Sequence, residues 1–442
     1  MSDLAFRRPT QQERQAYRAS ILHFVADPGL FESDQQACVS FSDGLLIVAD
    51  GKIEALGNYP DLAPELDCPL IDYRGKWIMP GFIDTHVHYP QSEMIASPAA
   101  SLLPWLETYT FPTERKFAEF AHASRVANFF LDQIVRSGTT TAMVYCTVHP
   151  ASVDAFFEAS ATRNLRMVAG KVLMDRNCPE FLRDSAEQGV LDSEALIQRW
   201  HGKGRALYAI TPRFAPTSSA AQLQLAGELA CRYPTTFLQT HVAENLQEVA
   251  WVKELFPAAR SYLDVYEGYQ MLRPRAMYGH CLWLDEVDRQ RMAQSGASAA
   301  ACPSSNFFLG SGLFDFAKAE QAAMQYTLAS DIGGGTSPSM LQTMQDAYKA
   351  ARMNGCYLPA MKMFYLATLG AARSMQLDDV LGNFAPGKEA DFIVLDPNAT
   401  PLLKQRHAQC NRLEDMLFML ALLGDERSIA ATFSAGVCLH RS

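Results

Sequence analysis

The sequence predicts an α/β protein, a (β/α)8 TIM-type barrel with a small β-sandwich domain built from both chain termini. Three observations predict it. Apolar strand-like runs alternate with helical segments eight times through the middle of the chain. The two ends are β-rich and lack that alternation. Polar, chemistry-bearing residues close nearly every middle run, where a barrel gathers its working groups.

The first eighty residues read as strands and turns. In SDGLLIVADGKIEALG (42–57), two apolar runs meet at Asp50-Gly51, a favoured hairpin turn because both positions tolerate positive φ. A matching piece, GKEADFIVLD (387–396), lies near the other end. A mostly helical stretch and the strand-like SIAATFSAGVCLH (428–440) follow it. The expected division is 1–78 plus 385–442 for the terminal sheet domain and 79–384 for the barrel. The barrel runs are GFIDTHVH (81–88), TTTAMVYCTVH (139–149), RMVAGKVLMD (166–175), ALYAITPRFAP (206–216), TTFLQTHVAE (235–244), AMYGHC (276–281), ASAAACPSS (297–305) and YTLASDIGGG (326–335). Segments such as ASVDAFFEASATRN and NLQEVAWVKELF supply the helices between them.

Composition narrows the partners. A net charge of −10 without any Lys/Arg block argues against nucleic acid or an anionic membrane, both of which need a basic footprint. The longest apolar run, LFMLALL (417–423), is too short to span a bilayer. The opening MSDLAFRRPTQQERQAYR is polar with no apolar signal core, so a cytoplasmic protein is expected. None of the ten cysteines pair as C-x-x-C, and they read as reduced thiols.

His86 and His88 stand two apart. On a strand that spacing puts both imidazoles on one face, and neutral imidazole suits a zinc-class ion. An H-x-H pair alone is equally a core histidine beside a surface one. It is not alone: His241 ends the fifth run, His280 the sixth, and Asp331 the eighth, and a barrel brings these ends to one rim. His23, His122, His201, His407 and His440 fall in termini or polar helical stretches. His149 is open between a supporting and a structural role. Glu244, three residues after His241, is placed to move protons beside a metal-activated water; alone it would also suit a helix N-terminus. DIGGGTS lacks the Gly-Lys-Ser/Thr of a phosphate loop. Lys171 reads as a structural ion pair.

Together, GFIDTHVH, THVAE, the GHC histidine, the aspartate of SDIGGG, the DGKI hairpin and GKEADFIVLD resemble the amidohydrolase superfamily over nearly the whole chain. THVHYPQ, WLETYTFPTERKF, ITPRFAPTSS, HVAEN, CPSSNFFLGSGLF and NFAPGKEADF resemble its members that act on guanine. The resemblance implies hydrolytic deamination of guanine to xanthine and ammonia with one zinc per chain. His86, His88, His241 and Asp331 would hold the metal. Asp331 would also accept the water proton, His280 would orient the water, and Glu244 would shuttle a proton to the ring and the leaving amine. Gln91, Arg213 and Phe214 would bind the substrate, with His88, His241, Glu244 and Asp331 also touching it. The fourth run lacks the lysine that binuclear members use, which favours one metal. A homodimer is implied as well.

The bottom-up chemistry agrees. A guanidinium donates to O6, a carboxamide donates and accepts, and an aromatic packs on the ring face. Trp105 stands open between pocket wall and core, and Arg213 alone would also read as a rim salt bridge. The TFPTE loop is expected to cover part of the site. Ala243 replaces the serine usual in H-x-S-E-N, and Ala329-Ser330 replaces Gly-Thr. Neither position is expected to supply a needed donor. Two rivals remain: the same chemistry on another ring (8-oxoguanine, another purine, pterin, cytosine or triazine), and a non-catalytic interaction protein, which should show broken ligands.

Overall fold

The computed structural model describes residues 14–32 and 34–442. Most of the polar opening segment therefore lies outside the described residues. The eight predicted runs become eight parallel strands, paired in chain order: Phe82–His88, Thr139–Tyr145, Arg166–Gly170, Ala206–Pro212, Phe237–Val242, Ala276–His280, Ser298–Ala301 and Gln325–Leu328. The short Val172–Leu173 prolongs the third run and also pairs with the fourth strand. Every residue of the first two strands is buried, so both read as unbroken runs rather than as an alternation. The seventh, Ser-Ala-Ala-Ala, contributes little volume, which leaves room for larger side chains inside the ring.

Seven of the eight predicted runs overreach their strands at the C-terminal end, and the excess carries Arg213, Glu244 and Asp331, while His86, His88, His241 and His280 lie within strands. The first and eighth strands meet just there. Asp331 N donates to His86 O (3.0 Å), His88 N donates to Ile332 O (3.1 Å), and the Thr85 and Thr327 hydroxyls lie 2.6 Å apart. Around the ring, helices present one apolar stripe inward: Phe120–Arg136 buries Ala123, Val126, Ala127, Phe130, Leu131 and Ile134 at helical spacing.

Both ends of the chain enter one seven-stranded sheet, ordered Val437–Arg441, Ile429–Ser434, Phe392–Leu395, Leu70–Pro80, Gln15–Phe24, Cys38–Ala49 and Lys52–Asn58. The Asp50-Gly51 hairpin forms with positive φ at both residues. The expected sandwich takes the form of a single sheet folded over on itself. The Tyr17 ring lies 5.0 Å from Phe392 and 5.2 Å from Phe433, although Leu70–Pro80 intervenes in the strand order. Among the described residues, no helix is long and apolar enough to cross a membrane.

A buried ion-pair cluster ties this sheet to the underside of the barrel. Arg166 Nε donates to Glu389 Oε2 (2.7 Å), Arg205 Nη2 to the same oxygen (2.6 Å), and Arg205 also pairs with Asp391. Burial raises the Glu389 carboxyl, but the two guanidiniums outweigh it and hold it at about 2. Replacing Arg205 with Met should leave the buried Asp391 without its guanidinium, leave Glu389 to Arg166 alone, and lower the unfolding free energy by about 3 kcal/mol. Because Glu389 titrates at about 2 when folded, below its ordinary 4.5, its contribution is whole above pH 4.5 and lost as pH falls toward 2. Urea melts at pH 7, 4 and 3 should show a shallower acid loss in R205M; equal slopes would remove the cluster from the account.

Candidate active site

At the C-terminal mouth of the barrel the four candidate ligands converge. His86 is fully buried and His88 nearly so. Asp331 Oδ1 stands 3.4 Å from His86 Nε2 and 3.5 Å from His88 Nε2. The Nε2 atoms of His88 and His241 are 3.2 Å apart. His280 Nε2 lies between two carboxylates, 3.3 Å from Glu244 and 3.7 Å from Asp331.

Local backbone explains how this is possible. Ala243, His280 and Asp331 all adopt left-handed φ, near +50° to +70°, at the ends of their strands. Such geometry costs about 1 kcal/mol or more per residue, and it brings the His280 and Asp331 side chains into the mouth. Gly279 makes room: a Cβ there would come within 2.5 Å of the His86 ring. Asp84 accepts from Ser330 N (3.1 Å) and His86 N (3.3 Å) and pairs with the Ser330 hydroxyl. Asp84 is thus a structural brace at the strand end. Ser330 does supply a donor there, contrary to the sequence expectation.

Hydrogen bonds select the tautomers. His241 Nδ1 lies 2.7 Å from the Arg213 carbonyl, which can only accept, so Nδ1 carries the proton and Nε2 offers its lone pair inward. His280 Nδ1 is held by Asn306 Oδ1 at 2.9 Å. The Tyr145 ring stacks on His88 at 4.4 Å.

The residues fit a metal ion. Both ring nitrogens of His86 and Nδ1 of His88 are buried without a directed hydrogen bond, a costly arrangement unless something else fills the centre. Burial, then the charge of His86, holds His88 and His241 well below the ordinary histidine value, so both are neutral donors. Three imidazoles and a carboxylate are a set suited to zinc-class ions. Cys302 groups with His86, His280 and Asp331 as well. Burial, then Asp331, pushes its thiol up, and its proton goes to the Ala300 carbonyl, so it is a poor donor.

The two acids are split in protonation. Burial alone would raise Asp331, but the close approach and charge of His86, with His280 and His241, hold it at about 2. Burial, then the charge of Asp331, pushes Glu244 well above the ordinary carboxylate range, with the Ser311 hydroxyl at 3.4 Å offsetting little. One ionised and one protonated carboxyl beside a single imidazole are an acid and a base ready for use.

A pocket opens above this centre. Leu102, Trp105, Leu106 and Leu309 line its apolar side; Gln91, Arg213, Phe214, Glu244, His280 and Asp331 line the other. Trp105 is therefore pocket wall, with its indole N–H given to Ser97 O. The TFPTE segment is helical rather than a loop. It continues the turns from Leu102 through a π-helical stretch (Leu106–Thr110) to Phe111–Glu114, and its Glu114 meets Arg213 and Gln91. Lys171 pairs with Asp184, and His149 starts the helix Pro150–Thr162 away from the pocket.

Of the site residues expected from sequence, all but His86 line one cavity, and His86 stands 3.4 Å from Asp331. Glu114, Asn306, Ser311 and Gly279 escaped notice. The first three stand inside the quoted TFPTE and CPSSNFFLGSGLF stretches, which gave the only available signal.

The amidohydrolase family model matches residues 77–439. This chain belongs to the amidohydrolase family. The guanine deaminase of Escherichia coli K12 is 49% identical to it over 89% of this chain and 90% of that protein. The structure of an E. coli guanine deaminase superposes with a TM-score of 0.94 at 46% identity, covering 98% of this chain and all of that one. A guanine deaminase from C. acetobutylicum, solved with guanine in its active site, gives 0.87 at 26% identity over 97% and 100%. As an amidohydrolase, the chain falls among metal-dependent hydrolases.

The metal reading can be tested away from catalysis. Gly279→Ala should push the His86 ring out of place and cut bound metal below about a tenth of wild type by elemental analysis, with the barrel still folded by circular dichroism. Full metal content in G279A would mean that His86 is not a ligand.

Proposed function

We propose that this amidohydrolase is a zinc-dependent guanine deaminase that converts guanine and water to xanthine and ammonia. One observation carries the reading. His88, His241 and Asp331 of the candidate donor set, a protonated Glu244, and Arg213 beside Gln91 all face one pocket, with His86 3.4 Å from Asp331. The relatives named above support the choice of ring.

His86, His88, His241 and Asp331 would hold the ion. When bound, zinc lowers the pKa of a water molecule toward neutrality and so supplies the nucleophile. Asp331, ionised, takes the water's proton as it attacks C2 of the ring. Glu244 begins protonated and delivers its proton to the adjacent ring nitrogen, which turns C2 tetrahedral. His280, within reach of both carboxyls, keeps the water between them; the proton gathered from the water then passes to the amino group, which leaves as ammonia as the new C2 hydroxyl returns its proton to Glu244 and becomes the carbonyl. Phe214 covers the ring face, Arg213 donates to O6, and Gln91 reads the neighbouring N–H.

Zinc is preferred over other divalent ions because imidazole-rich sites with one carboxylate suit it. The chain is taken to divide into 1–78 plus 385–442, the terminal sheet, and 79–384, the barrel. A cytoplasmic homodimer completes the reading; light scattering at micromolar concentration should give twice the chain mass.

Purified protein should hold about one zinc per chain and release ammonia from guanine. In a panel with adenine, cytosine, 8-oxoguanine, pterins and a chlorotriazine, guanine should be turned over fastest. An inert guanine beside a well-used alternative ring would overturn the substrate and spare the metal centre. Glu244→Gln should keep its zinc yet lose at least about a thousandfold in kcat, as expected for removing an essential proton carrier. Loss of zinc would make Glu244 a ligand instead.

A further inference from the structure

Glu114 is fully buried, belongs to the helical cover rather than to a barrel strand, and has no candidate metal ligand among its hydrogen-bond partners. Both of its carboxylate oxygens lie 2.9 Å from one atom, Arg213 Nη1. Its Oε1 also accepts from Gln91 Nε2 at 3.2 Å. Phe111, one turn earlier, packs under the Arg213 guanidinium at 5.5 Å. One short segment thus grips both side chains expected to read the ring.

The manner of the grip matters. A forked pairing would use two guanidinium nitrogens; here both oxygens take Nη1, and Glu114 is the only hydrogen-bond partner of the Arg213 side chain among the described residues. The rest of the guanidinium is left to donate into the pocket. Gln91 is symmetric in shape but not in chemistry, and only a neighbour decides which end of its amide faces where. A carboxylate accepts and cannot donate, so the NH2 end turns to Glu114 and the oxygen is left for the ligand. Gly333, at φ +116°, leaves the space for it: a Cβ there would come within 2.0 Å of Gln91 Oε1. The pocket therefore presents a donor beside an acceptor, the complement of a C=O next to an N–H.

We propose that Glu114 is a positioning residue that sets the hydrogen-bond polarity of Arg213 and Gln91 and so selects a lactam edge, C6=O6 with N1–H. This rests on the guanine reading above. With Glu114→Gln, the new amide NH2 faces Gln91, whose oxygen turns to meet it and whose own NH2 points at the ring. The pocket then suits a ring whose N1 is a bare lone pair.

2-Aminopurine, which carries the same amino group but lacks O6 and N1–H, is the probe. In E114Q, kcat/KM for guanine should fall about 100-fold, mainly through KM, because an N–H is now met by a donor. That for 2-aminopurine should change less than about threefold, and zinc content not at all. E114D, which keeps a carboxylate, should restore most of the guanine preference. An unchanged guanine to 2-aminopurine ratio in folded, zinc-loaded E114Q would overturn the proposal. So would an equal fall on both rings, or an E114D that behaves like E114Q. The same ratio, read as dissociation constants by 2-aminopurine fluorescence and guanine competition on the metal-free proteins, separates this role from the chemical step. If wild type deaminates another ring and not guanine, the functional reading fails by itself. The preference between N1–H and N1-lone-pair forms of that ring, compared in E114Q, then decides the role of Glu114.

Discussion

Withdrawal from water is the constraint on which the rest of the molecule depends. His86, His88, His241, His280, Glu244 and Asp331 are all nearly or wholly buried at the barrel mouth. Burial keeps His88 and His241 neutral and holds a proton on Glu244, while the neighbouring histidines keep Asp331 ionised in spite of its own burial. In water the Glu244 proton would be lost at neutral pH, because the carboxyl would return to its ordinary value. The protein must therefore supply, from its own structure, the order that solvation would otherwise dissolve.

Much of the architecture meets that demand. The first and eighth strands are joined at the site itself, through the backbone of His86, His88 and Asp331, and Asp84 clamps Ser330 just behind them. Strained backbone at Ala243, His280 and Asp331 is tolerated because the surrounding strands leave no alternative path. The Arg213 carbonyl fixes His241 while the Arg213 side chain faces the pocket, so one residue couples the metal side to the ligand side. The folded-over terminal sheet contributes from below, where Arg166 and Arg205 neutralise its buried acids.

Much of this was legible in the sequence, for identifiable reasons. The eight strands show as apolar runs because they are buried on both faces. His86 and His88 declare themselves by a period of two, and His241, Glu244, His280 and Asp331 by their place at run ends. Ala243 illustrates why a departure from the family pattern need not matter: its left-handed backbone and its carbonyl, which accepts from Leu282 and Trp283, are indifferent to the side chain. Ser330 was misjudged because its partner, Asp84, is distant in sequence and adjacent only once the barrel closes.

What stayed hidden depends on contacts that no local pattern encodes. Gly279 matters for an atom it lacks, measured against a ring from another strand. Asn306 and Ser311 matter because they reach His280 and Glu244 from the short helix Pro303–Phe308 after the seventh strand and from the loop that follows it. Glu114 is the sharpest case. In sequence it closes a stretch with no strand or helix period, and a glutamate there reads as surface. In space it sits under an arginine and a glutamine from two different strand ends, and its inability to donate decides which way an amide points. Ligand groups can be found from residue type and spacing; the polarity of a reading edge cannot, because it belongs to a third residue that need not touch the ligand.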